Sequence, residues 1–261
     1  MSRRPRLPQL LQFAFLWMAA AACTNDVVSE HVGSIINVWT VLPPPSDQTL
    51  PGLDEVALFE RVCDRLEERF VLPRDLRVFH LGCGEANAFY DPEESRIRMC
   101  DELLDKVASV TRTAAQHTEQ EVLVRVHSTW VLMFLHEVGH AFIDIFELPV
   151  LGNEEDAVDK FAALLLINAG EASMARLAFD YYAELDKAPD TAPVIFDEHQ
   201  LDLQRYYTGL CIVYGSDPAL HADIVEQGFL SADRAGRCVG EYRKLLNDWT
   251  MLLGPRLRAA P

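Results

Sequence analysis

The stretch from Val122 to Ile145 constrains this chain more than any other part of it. It is long and mostly apolar, and Arg125, His127, His136, Glu137 and His140 interrupt it. A membrane span needs about 20 consecutive, predominantly apolar residues, so the interruptions exclude that reading. What remains is a helix buried inside a protein, with other elements packed around it. Burying two imidazoles and a carboxyl group is costly unless each finds a partner. The fold must therefore supply partners at the centre of this helix.

The interrupting residues have a defined spacing. His136-Glu137-Val138-Gly139-His140 is a His-Glu-x-x-His sequence. His136 and His140 lie one turn apart, so both rings leave the same helix face and can bind one metal ion. Glu137 is turned by about 100°, beside that ion and not on it, where it can take a proton from water. The expected cofactor is zinc, which lowers the pKa of a bound water to about 7. A third ligand is needed. Gly three residues and His six residues after His140 would supply one, but Ile143 and Phe146 stand there. Instead Glu154-Glu155-Asp156-Ala157-Val158-Asp159 opens a new helix after Asn153. Glu155 and Asp159 are four residues apart and share a face. This pattern resembles the gluzincin arrangement. It assigns Glu155 as the third ligand, with Glu154 as the alternative, and Asp159 as the residue that orients a ligand histidine. A solvated acidic first turn explains Glu154 and Asp156 equally well. Asp144, one turn beyond His140, is open between supporting the site and facing water.

The rest of the chain frames this centre. Helical periodicity covers 53–70, with the apolar stripe Phe59, Val62, Cys63, Leu66 and Phe70. Three short strands follow, at 76–81, 87–91 and 96–99, the last two joined by the turn Asp91-Pro92-Glu93-Glu94-Ser95. Helices then dominate: 101–116, 118–146, 154–169, 172–187, 199–214 and 237–253. Asn87, Ala88, Phe89 and Tyr90 are candidates for a sheet edge that binds substrate backbone by strand addition, or for an ordinary hairpin. His199 and Tyr206 are candidate donors to the oxyanion of a tetrahedral intermediate, or parts of a capping cluster.

Residues 1–22 read as a signal peptide: Arg3, Arg4 and Arg6, then the apolar run Leu10 to Ala22 ending in small residues. Ala20-Ala21-Ala22-Cys23 resembles a lipoprotein cleavage box, which would put a lipid anchor on Cys23; simple secretion fits as well. Residues 23–52, with Pro43-Pro44-Pro45, read as a linker or lead-in, and 53–261 as the folded domain. Export to the periplasm, the cell envelope or the medium permits disulfides. Cys83 with Cys100 and Cys211 with Cys238 are the expected pairs, and Cys63 is expected to be a free buried thiol. The net charge of -17 would repel phosphate backbones, so nucleic acid is not an expected partner.

The chain also resembles a family of bacterial metallopeptidases otherwise catalogued only as a domain of unknown function, among the gluzincin-like zinc peptidases. The resemblance is carried by Cys83, Asn87 to Pro92, Arg96 to Leu103, His136 to Ala141, Leu148 to Asp159, Asp197-Glu198-His199, Cys211 and Tyr214-Gly215. It implies peptidase activity on a peptide or protein substrate and supports both cysteine pairs, but it names no substrate. The expected fold is α+β and zincin-like, mainly helical, with a small antiparallel sheet of three strands and the His-Glu-x-x-His helix at the active site. The competing expectation is an exported zinc-binding or binding-only protein that has lost catalysis. The intact Glu137 counts against it, since a purely structural site has no use for a base there.

Overall fold

The structure, a computed structural model, describes residues 32–39, 55–188 and 201–259. The expected signal peptide, Cys23 and His199 lie outside the described residues.

A four-stranded sheet and a set of helices share one core. Strand β1 (Ile35–Trp39) leads into α1 (Glu55–Arg69) and then β2 (Leu76–Leu81); β3 (Ala88–Asp91) and β4 (Arg96–Cys100) follow. The strand order is β1-β2-β4-β3. Only β3 runs antiparallel to its neighbour; β1 with β2 and β2 with β4 are parallel. The sheet is therefore mixed, not antiparallel, and has four strands, not three. Two physical causes explain this. Strands joined through a helical crossover, as β1 and β2 are through α1, pair in parallel. The tight turn at 91–95 makes β3 and β4 a hairpin, and β4 takes the inner position, which leaves β3 at the edge. The added strand β1 falls within the stretch expected to be a lead-in, so part of 23–52 belongs to the folded unit.

The hairpin turn is held by Asp91, whose Oδ1 accepts the Glu93 N–H at 3.1 Å. From β4 the chain enters α2 (Asp101–Ala114) directly. Next comes α3 (Glu119–Ile145), the long helix expected from the sequence. It starts at a capping box: Thr118 Oγ1 accepts the Glu121 N–H, and the Glu121 carboxylate accepts the Thr118 N–H. No helix among the described residues is long and apolar enough to cross a membrane. Sixteen residues of α3 are buried, including His136 and Glu137. Around α3 pack α2, α4 (Glu154–Asn168), α5 (Ala172–Leu185) and the β3–β4 hairpin. Helix α6 (Asp202–Ser216) lies against α4, α5 and α8 (Ala232–Leu253), and the short α7 (Asp223–Glu226) stands between α6 and α8 in the chain.

Two glycines set how closely these helices approach. A Cβ on Gly139 would meet the Val158 side chain at 2.7 Å, so α4 can lie against α3 at the height of the histidines. A Cβ on Gly209 would stand 2.0 Å from the Phe179 ring, so α6 sits equally close to α5. Disulfides join Cys83 to Cys100 and Cys211 to Cys238, as expected; the first ties the loop after β2 to the end of β4, the second ties α6 to α8. Cys63 is a free buried thiol whose pKa burial pushes up to about 12.

Candidate metal centre

The site forms where α3 and α4 touch. Asn153 caps α4, its side chain accepting the Asp156 N–H, and this fixes where the first turn of α4 begins. Glu154, Glu155 and Asp159 then face α3. His136 Nε2 lies 3.0 Å from Glu155 Oε2, and His140 Nε2 lies 3.2 Å from Glu155 Oε1. The two Nε2 atoms are 3.2 Å apart. His136, His140 and Glu155 thus offer three donor atoms within 4.8 Å of one another.

The opposite nitrogens of the rings are also held. His136 Nδ1 is 2.7 Å from Asp159 Oδ1, and His140 Nδ1 is 2.7 Å from Glu154 Oε1. A carboxylate on Nδ1 keeps the proton there and turns the Nε2 lone pair toward the centre. Asp159 is itself gripped by α6: Arg205 donates from Nε to Oδ2 and from Nη2 to Oδ1, both at 2.7 Å. The guanidinium lies over the Tyr182 ring, 4.1 Å from its centroid. Burial alone would raise the Asp159 pKa, but the Arg205 charge and the His136 bond outweigh it and hold this carboxyl well below its usual range. Burial opposes charging His136, yet Asp159 and Glu155 prevail and move its pKa up to about 9 when no ion is bound. Burial and the His136 charge oppose charging His140, yet Glu155 and Glu154 prevail and shift it upward.

Imidazoles drawn toward protonation and ringed by carboxylates match the donor set of a divalent cation: two Nε2 atoms and one carboxylate converge, and each ring is braced from behind. Glu137 follows His136 and is buried at 6% exposure.

The sequence-derived candidates divide as follows. His136, His140, Glu155 and Asp159 come together as expected. Glu154, left open between ligand and solvated acid, supports His140 from behind. Tyr206 is buried on α6 but does not join this cluster: its ring lies 5.0 Å from that of Tyr207, and its charged neighbours are Asp180 and Arg176 of α5. The residue of that helix which reaches the centre is Arg205, one position earlier and so about 100° round the helix. Sequence reasoning passed over Arg205; its signal was a lone arginine among the apolar positions of α6. Asn87 and β3 do stand at the edge of the sheet, with the Asn87 carbonyl accepting the Cys100 N–H at 3.2 Å. Tyr90 Oη donates to Asp144 Oδ2 at 2.6 Å, and Arg74 donates to the same oxygen. Asp144 thus ties the edge strand β3 to α3.

A mainly helical fold with this donor set offers a candidate site for a metal ion. The chain belongs to the family described as "Putative metallopeptidase", whose model matches residues 45–253. No curated protein and no solved structure matches the chain.

Proposed function

We propose that this protein is an exported zinc-dependent peptidase. The reading rests on one observation above all: the Nε2 atoms of His136 and His140 converge on Glu155 while both Nδ1 atoms are bound by carboxylates. His136, His140 and Glu155 would hold the zinc, which supplies a Lewis acid and acidified water at neutral pH. Glu137 takes the proton from the attacking water and passes it to the leaving amine. Asp159, steadied by Arg205, keeps the His136 proton on Nδ1, and Glu154 does the same for His140. The edge strand β3, fixed to α3 through Tyr90 and Asp144, aligns an extended peptide by backbone pairing. His199 is a candidate donor to the oxyanion. The leader at 1–22 and the two disulfides support an oxidising compartment outside the cytosol, with Cys23 the candidate lipid anchor.

The test compares the zinc-loaded protein with its Glu137→Gln variant on a diverse peptide library. The parent is expected to cleave. The variant should lose about a hundredfold or more in kcat while binding zinc as before. Equal cleavage by both refutes the role of Glu137; zinc binding with cleavage by neither favours a binding-only protein.

A further inference from the structure

The face of α3 turned away from the histidines borders a second feature, a cavity of about 530 Å3. Val131 and His127 line it from positions five and nine residues before His136, about 140° and 180° round the helix. Val62 and Leu66 of α1, Leu165 of α4 and Trp249 of α8 complete the apolar wall. The volume lies within the range of about 300–1,000 Å3 typical of small-ligand pockets.

Its charges are unevenly placed. Arg61, Arg65 and Arg69 line the cavity from successive turns of α1, in a chain whose net charge is -17. Of the two acids on the lining, Glu68 is paired with Arg65 at 2.8 Å, and Glu171 stands at the start of α5. Arg61 makes no ion pair among the described residues. His127, which feels the Arg61 charge, has its Nε2 buried with no hydrogen-bond partner. An exposed guanidinium without an ion pair, at the border of an apolar cavity that an arginine row lines, is the recognition chemistry of a carboxylate that carries a hydrocarbon chain.

We propose that this cavity binds a free fatty acid, with the chain between α1, α3, α4 and α8 and the carboxylate on Arg61. The charge argues against the chain's own leader as occupant, because its apolar run Leu10 to Ala22 follows Arg3, Arg4 and Arg6, which the arginine row would repel. The proposal is independent of the peptidase reading, since binding is measured without turnover.

The experiment is calorimetric titration of the purified protein with laurate below its micellar concentration. Decanoate, dodecanol and anionic phospholipid vesicles are run alongside, and a synthetic peptide of residues 7–22 serves as competitor. One laurate should bind per chain. Shortening the chain by two methylenes to decanoate should weaken binding about fifteenfold. Dodecanol and the exposed-site variant Arg61→Gln should each weaken it about tenfold or more. A second variant, Met174→Glu, which places a charge on the cavity wall, should abolish binding while circular dichroism shows an unchanged fold. No laurate binding overturns the proposal. So does equal binding of laurate and dodecanol, a vesicle-only response, or displacement of laurate by the peptide.

Discussion

Replacing Arg205 with Met removes the cation behind the metal centre while keeping a long, apolar side chain in its place. The guanidinium makes two bonds of 2.7 Å to Asp159 and covers the Tyr182 ring, and Asp159 is only 6% exposed. Loss of one partner from a buried ion pair costs about 3–5 kcal/mol, and here the remaining carboxylate keeps only the His136 ring as a partner. In a chain of this size that lowers Tm by roughly 6–20 °C. The carboxylate that steadies His136 also loses its anchor, so zinc affinity should fall about 10- to 100-fold. Thermal unfolding of the metal-free protein measures the first effect, and titration against a competing chelator measures the second. Asp159→Asn provides the control: the double variant strands no charge, so its cost should be well below the sum of the single costs. An Arg205→Met protein with the parent's Tm and zinc affinity, or strictly additive costs, would refute this account of the site.

Further predictions concern other parts of the fold. Gly139→Ala gains about 1 kcal/mol of helix propensity but drives a methyl group into Val158, so a net loss of stability and weaker zinc binding are expected; trimming the neighbour with Val158→Ala should restore both, as chelator competition would show. His80, 3% exposed and stacked on Trp39 at 3.6 Å, has its pKa lowered by burial to about 3. Its neutral form is favoured by folding, so its contribution is complete above about pH 6.5 and declines as pH falls toward 3, by about 1.4 kcal/mol per unit; guanidinium midpoints should show His80→Phe losing less stability than the parent between pH 7 and 5. The Cys83–Cys100 bridge closes a 17-residue separation, so Cys83→Ser with Cys100→Ser should cost about 3 kcal/mol in denaturant unfolding.

Legibility in the sequence followed the range of the interactions. The His-Glu-x-x-His face, Glu155 with Asp159, and the core stripe of α1 are spacings within one helix. Helix geometry converts such spacings into shared faces before any tertiary contact forms. The hairpin at 91–95 and the cap at Asn153 are similarly local. The parallel pairing of β1 with β2 depends on where α1 carries the chain, and a run as short as Ile35–Trp39 has no periodicity strong enough to announce a strand. Tyr206 and Arg205 illustrate the same limit within a site: one step along α6 decides which side chain meets Asp159, and how that helix packs against its neighbours is not written in its own periodicity.

By itself, then, the sequence determined that a buried helix carries two imidazoles and a carboxyl on adjoining faces, with an acidic helix to complete a metal site, because those relations follow from 3.6 residues per turn. Only the tertiary structure decided that Arg205 braces Asp159, that Glu154 supports His140 from behind, that Asp144 ties the edge strand to α3, and that an arginine-lined cavity opens on the far side. Each of these joins residues distant in the chain, and packing among whole elements, not local periodicity, sets which of them meet.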